Sequence, residues 1–218
     1  MNSGQPRYTG LLGGSFNPAH GAHRQISLFA AQALRLDEIW WLVSPGNPLK
    51  PARGMAPLPA RIASALRMAR RTPIKVSAVE RELGTRYTVD TLRKLRRRWP
   101  KRRFVWLMGA DNLAQFGRWR AWRQIARLIP IAVIARPGYD GDAFASPAMA
   151  WLRRYRVPAA GLRNRTGWSA PALVYLRFDP DGRSATAIRE ADPQWSAGLS
   201  ITQLRDDVTH RRIPGDAT

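Results

Sequence analysis

Short apolar runs alternate along this chain with longer stretches whose apolar residues recur at helical spacing. Tyr8 to Leu12 reads as a buried strand, and Ile26, Phe29, Ala30, Ala33 and Leu34 then share one face of a helix. Ile39 to Val43 is a second strand, ended by Ser44-Pro45-Gly46 and the turn signal Asn47-Pro48. Leu58 to Arg71 has helical periodicity through Ile62, Ala65, Leu66 and Ala69, and Ile74 to Val79 is another strand. Thr88 to Trp99 reads as a helix carrying Val89, Leu92 and Leu95 on one face, stopped by Pro100. Phe104 to Met108 is a continuous apolar strand, followed by Gly109-Ala110-Asp111-Asn112 and a helix. Ile131 to Ala135 is a strand closed by Pro137-Gly138, and Leu173 to Phe178 is the last one. The pattern is weakest from 140 to 170, where Trp151 to Arg156 suggests a helix. Ser184 to Glu190 reads as a capped helix start, and Ile201 to Arg212 as a final helix.

Strand-then-helix alternation implies parallel pairing, because each return to the same edge of a sheet needs a crossover. Strands apolar on both faces belong between two layers of helices. The expected fold is therefore α/β, a doubly wound, mostly parallel, Rossmann-like sheet with helices on both faces. Ligands are expected at the carboxyl ends of its strands. The 218 residues suit a single domain, residues 1–218, with a C-terminal helical part over about 184–212.

Composition narrows the picture modestly. Cysteine is absent, which excludes disulfides and thiolate metal sites. No apolar run approaches the roughly 20 residues needed to span a bilayer, and no secretion signal is evident, so the expectation is a cytoplasmic protein without membrane contact. The net charge of +21 is compatible with nucleic acid or with small anionic substrates. Only four of the 36 basic residues are Lys (Lys50, Lys75, Lys94 and Lys101), a skew that GC-rich coding also produces, so charge alone assigns no partner.

The segment Gly13-Gly14-Ser15-Phe16-Asn17-Pro18-Ala19-His20-Gly21-Ala22-His23 lies where the first strand ends and the first helix begins. Gly13 and Gly14 are expected to let the backbone turn tightly and approach a ligand. His20 and His23, three apart, share one face of a first helical turn, beside the free N–H donors of a helix start. Two imidazoles there suit a polyphosphate. A zinc site completed by His210 or carboxylates, a dinucleotide-binding glycine loop, or a plain capped helix compete with that reading. Near the other end, Ser184-Ala185-Thr186-Ala187-Ile188-Arg189 offers a helix N-cap and a guanidinium about one turn in, a second anion site.

The first segment resembles the opening motif of the nucleotidyltransferase superfamily that ends in His-x-Gly-His, with Ala22 where that family has Gly. Ser184 to Arg189 resembles its second motif. Three further stretches resemble the bacterial nicotinate-nucleotide adenylyltransferases: Ser44 to Lys50, Gly84 to Leu92, and Met108 to Leu113 continuing to Phe116 and Arg118-Trp119-Arg120. The resemblance spans about residues 8 to 212. It implies transfer of the adenylyl group of ATP to nicotinate mononucleotide, giving deamido-NAD and pyrophosphate, with Mg²⁺ carried on ATP and no dedicated metal ligands. It implies His20, His23 and Arg189 as catalytic residues. Gly14, Ser15, Phe16, Gly109, Asp111, Ser184 and Thr186 join them around ATP, and Asn47, Lys50, Thr85, Tyr87 and Trp119 surround the acceptor. Trp119 would stack on the nicotinate ring, and the Thr85–Tyr87 loop would offer backbone N–H groups to its carboxylate. Nicotinamide mononucleotide or pantetheine phosphate are alternative acceptors. A basic nucleic-acid-binding protein, or a nucleotide-binding relative without catalysis, are alternatives of another class.

Overall fold

The computed structural model describes residues 5–46, 54–135, 140–178 and 184–214. Its elements run β1 (Arg7–Gly14), α1 (Gly21–Leu34), β2 (Glu38–Val43), α2 (Leu58–Ala69), β3 (Ile74–Ser77), α3 (Val79–Glu82), α4 (Thr88–Arg98) and β4 (Arg102–Gly109). They continue through α5 (Ala110–Phe116), α6 (Trp122–Leu128), β5 (Ile131–Ala135), α7 (Asp140–Ala145), α8 (Pro147–Leu152), α9 (Ala159–Arg163), β6 (Leu173–Arg177) and α10 (Ala185–Ala191). The six strands form one sheet in the order β3-β2-β1-β4-β5-β6, and every pair is parallel. The strand order reverses between β1 and β4, where an open α/β sheet leaves a crevice at its carboxyl edge.

Each face of the sheet buries its own cluster. Leu12, Trp41, Val43, Val105 and Leu107 pack with Ile26 and Ala30 of α1, Ile62 and Ala65 of α2 and Leu162 of α9. Leu11, Trp40, Leu42, Trp106 and Met108 pack on the other side with Val89, Leu92 and Leu95 of α4, Leu113 and Phe116 of α5, and Ile125 of α6. Successive residues of one strand enter opposite clusters, which is why continuous apolar runs were needed. At the amino edge, Glu38 accepts from Trp40 Nε1 at 2.6 Å and pairs with Arg102, whose guanidinium lies 4.8 Å from the Trp40 ring centre. The ion pair sits far from the carboxyl edge and serves the fold.

Two expectations need correction. Ile201 to Arg212 is not a helix but a chain of turns closed by a bridge between Arg205 and Arg212. The reason is Asp206, 3% exposed. Its carboxylate accepts from the N–H groups of Val208 and Thr209 at 2.9 Å each, from Ser77 Oγ at 2.8 Å and from Ala78 N–H at 2.7 Å. A side chain that satisfies local backbone donors competes with the helix that would otherwise satisfy them. The C-terminal part over 184–212 therefore holds one described helix, α10. Second, Gly13 and Gly14 do not turn. They are the last residues of β1, paired beside Leu42 and Val43. Gly13 is there for space: a Cβ would lie 2.6 Å from Cη2 of Trp106. The segment from 140 to 170, faint in the sequence, forms α7 and α8 against the second cluster. It then crosses the sheet edge, where Val157 N–H bonds the Leu173 carbonyl at 2.9 Å, to place α9 in the first cluster.

Candidate active site

The loop from Ser15 to His20 leaves β1 at the crevice and is held from four sides. Phe16 takes a positive φ of 47° and turns its ring inward, 1% exposed, stacked on Trp41 at 5.0 Å between centres. Its side chain is thus a support for the loop. The Asn17 amide donates to the Gly54 carbonyl at 2.9 Å and accepts from Ala56 N–H at 3.1 Å. Ala19 N–H donates to Ser64 Oγ at 3.1 Å. Arg61 of α2, 2% exposed, donates from Nη1 to the carbonyls of Ser15 at 2.8 Å and Ser44 at 2.7 Å, and from Nε to that of Ala56 at 2.9 Å. A buried guanidinium thus ties the exits of β1 and β2 together. Arg61 falls in step with Leu58 and Ala65 on the apolar face of its helix, and a cation there was the readable sign of this role.

His20 is the N-cap of α1 and His23 its third residue, their ring centres 3.9 Å apart. His20 N–H donates to His23 Nδ1 at 3.2 Å. An accepting Nδ1 puts the proton of the neutral ring on Nε2, a donor on the far side from the helix start. The ring is steadied by Phe16 at 4.9 Å. Its carbonyl accepts from Ser27 Oγ at 2.8 Å, which in turn accepts from Trp41 Nε1 at 2.8 Å. Ala22 lies inside α1, 1% exposed and outside the positive-φ region. Its methyl is therefore consumed in packing and does not line the open crevice.

The second motif arrives at the first. Ser184 caps α10, its Oγ accepting from Ala187 N–H at 3.1 Å. Arg189 donates from Nη1 to the Asn17 carbonyl at 2.6 Å and from Nη2 to Thr186 Oγ1 at 3.2 Å. Residues 172 positions apart thus share one wall of the crevice. Ser184 and Thr186 are exposed, and both hydroxyls already serve their own helix. Across the crevice, Gly109 ends β4 and N-caps α5, which places Asp111 in the first turn. Asp111 Oδ1 is buried and has no hydrogen-bond partner among the described residues.

The residues expected around an acceptor converge only in part. Thr85 is buried, and its own donors are spent. Its N–H bonds the Glu80 carbonyl at 2.9 Å, and its Oγ1 lies 2.8 Å from Thr91 Oγ1. Neither donor of Thr85 is therefore open to a ligand, and the next N–H groups along the loop are those of Arg86 and Tyr87. The Tyr87 ring lies under the Arg120 guanidinium at 4.5 Å, so this loop adjoins Trp119. Trp119 is half-buried and packs edge-on against Phe116 and Trp106 at 5.4 and 6.1 Å. Asn47 and Lys50 lie outside the described residues. Glu80, which no motif singled out, has its carboxyl pushed up to about 7 by burial, against hydrogen bonds from Thr91 and Ser44 that lower it. His210 sits in the C-terminal turns, its N–H on the Asp206 carbonyl at 2.9 Å. No cluster of three or more His, Asp or Glu among the described residues is placed to hold a metal, and none of their helices is long and apolar enough to cross a membrane.

Comparison with known proteins gives the family of the chain and its relatives. The chain matches the cytidylyltransferase-like family over residues 11–191. It is 71% identical over 208 residues to a probable nicotinate-nucleotide adenylyltransferase of Erythrobacter litoralis, covering 95% of each chain. It is 50% identical to another from a Bradyrhizobium species, covering 86% of this chain and 98% of that one. The nicotinic acid mononucleotide adenylyltransferase of Plasmodium falciparum, solved with NaAD, superposes with a TM-score of 0.60 over 84% of this chain and 83% of that one. At 14% identity the likeness is one of fold.

Proposed function

The chain belongs to the cytidylyltransferase-like family, and we propose that it transfers the adenylyl group of ATP to nicotinate mononucleotide. The 5′-phosphate oxygen of the acceptor attacks the α-phosphorus of ATP, the bond to the bridging oxygen breaks, and pyrophosphate leaves as deamido-NAD forms. Its relatives at 71% and 50% identity bear the name of that activity. The observation that carries the reading for this chain's own residues is the bond from Arg189 to the Asn17 carbonyl, which brings both motifs to one crevice.

Displacement at phosphorus needs positioning and neutralisation of charge more than a protein nucleophile. His20 and His23 bind the phosphates, with His23 Nε2 donating to charge that develops in the transition state. Arg189 lies on the β- and γ-phosphates, with Gly14, Ser15 and the Phe16 backbone beneath ATP, Ser184 capping the helix that carries Arg189 and Thr186 bonding its guanidinium. Gly109 and Asp111 take the ATP ribose, and the buried Oδ1 of Asp111 is an acceptor suited to a hydroxyl. Trp119 offers a face to the pyridine ring, and the N–H groups at Arg86 and Tyr87 suit its carboxylate. Mg²⁺ arrives on the polyphosphate as part of the substrate, and the compartment we assign is the cytoplasm.

Purified protein supplied with ATP and nicotinate mononucleotide is expected to release pyrophosphate and form deamido-NAD, faster than with nicotinamide mononucleotide or pantetheine phosphate. Preference for either of the others would overturn the acceptor. Substituting His23→Ala is expected to cut kcat by about 10²-fold or more, as loss of one transition-state donor does. Near-normal turnover in that variant would remove His23 from the mechanism.

A further inference from the structure

Glu80 is a carboxyl 9% exposed, on a helix of one turn, with hydroxyls rather than a cation around it among the described residues. Thr91 Oγ1 donates to its Oε1 at 3.2 Å, and Ser44, whose Oγ donates to the Gly46 carbonyl at 2.9 Å, lies beside the same carboxyl. Its backbone is engaged as well: the Glu80 carbonyl accepts from Thr85 N–H at 2.9 Å and Thr85 Oγ1 at 3.4 Å. Thr85 and Thr91 hydroxyls touch at 2.8 Å, closing the ring. Ser44 is itself a junction, its N–H on the Gly14 carbonyl at 2.9 Å and its carbonyl on Arg61. One buried side chain thus lies between the exit of β2, beside the phosphate loop, and the loop from Gly84 to Tyr87.

We infer that Glu80 is a positioning residue for the acceptor. Its carbonyl holds Thr85 directly and its carboxyl holds Thr85 through Thr91, and together they turn the N–H groups of Arg86 and Tyr87 toward the crevice. Gly84, at φ +60°, makes the reversal, and both donors of Thr85 are absorbed inward, so the next two N–H groups are the ones left to face a ligand. Arg120 over Tyr87 closes the loop from the far side. A carboxyl whose only purpose was to fill space here would be replaced without loss by an apolar side chain of its size. One that sets the loop would not. The inference rests on assigning the acceptor carboxylate to this loop.

The test is steady-state kinetics in both substrates for Glu80→Gln and Glu80→Leu. Gln keeps an acceptor for Thr91 and a polar atom for Ser44, so its constants are expected within about threefold of the wild type. Leu keeps the volume and removes the ring, so KM for nicotinate mononucleotide is expected to rise about tenfold or more, with KM for ATP and kcat little changed, the sign of lost ground-state binding. Equal changes in both KM values, or none, would overturn the inference. If the Leu variant does not fold, Thr91→Val removes the hydroxyl between Thr85 and Glu80 and is expected to show the same split at smaller size; no split there overturns it equally. A wild-type enzyme that prefers another acceptor would sink the acceptor assignment alone, and the split is then read on the acceptor it uses.

Discussion

At the scale of single residues, the site depends on charged groups placed where burial is costly. Glu80 is the clearest. Its carboxyl is raised from 4.5 to about 7, first by desolvation and only partly offset by Thr91 and Ser44. An acid whose folded pKa lies above its unfolded value holds more protons when folded, so stability falls as pH rises from about 4.5 to about 7 and is flat above. Glu80→Gln removes that loss. Its unfolding free energy is expected to match the wild type near pH 5 and exceed it at pH 8, with a difference on the order of 2–3 kcal/mol and a correspondingly higher Tm. Parallel Tm profiles across that range would show that Glu80 does not titrate there. Arg61 tells the complementary story, a buried cation whose guanidinium donates to the carbonyls of Ser15, Ser44 and Ala56. The sequence pattern allowed Arg61 to be found, since it interrupts an apolar helical face. It did not allow Glu80 to be found, because Ser44, Thr85 and Thr91 come together only through the fold.

At the scale of elements, β1 shows how packing sets backbone composition. Gly13 sits under the Trp106 ring on the neighbouring strand, and Trp106 is 2% exposed with nowhere to move. Gly13→Ala is expected to destabilise the protein by about 1–3 kcal/mol, as overpacking does, with the phosphate loop displaced and turnover reduced. Adding Trp106→Leu should recover part of the stability, a non-additive pair measurable by denaturant unfolding. Strictly additive losses would mean that the two do not meet. The glycines were legible as important, but their reason was not, because a turn and a close approach leave the same mark in one sequence. Strands were read correctly wherever an apolar run ended in a turn signal. Helices α3, α5 and α6 are short and stand on contacts across the fold, so periodicity alone could not mark their bounds. The misread helix over 201–212 failed for a local reason: Leu204 and Val208 are four apart, as in a helix, but Asp206 between them takes the backbone donors for itself.

At the scale of the whole molecule, the sheet separates stability from chemistry along its own strands. The carboxyl ends of β1, β2 and β4 carry the crevice, and the amino ends of β2 and β4 carry the Glu38–Arg102 pair. Glu38→Ala leaves a mostly buried guanidinium and the Trp40 Nε1 donor without their acceptor, a loss of about 3–5 kcal/mol. Kinetic constants per folded molecule are expected to stay those of the wild type. A change in KM with unchanged unfolding would contradict this division. The same separation explains why the two motifs could be paired from the sequence although nearly the whole chain lies between them: a parallel sheet returns every strand end to one edge.

The turn around Asp206 has a consequence for solubility. β3 is an edge strand, and Asp207 meets it as a neighbouring strand would, giving its N–H to the Val76 carbonyl at 3.0 Å and taking the Val76 N–H on its carboxylate at 2.9 Å. An edge left open is a template on which other chains can add. A variant ending at Arg205 is expected to keep its crevice residues yet self-associate, forming larger species by light scattering as concentration rises. A monodisperse truncated protein would show that the edge needs no cover. The thirteen residues removed by that truncation would then decide whether this enzyme stays in solution.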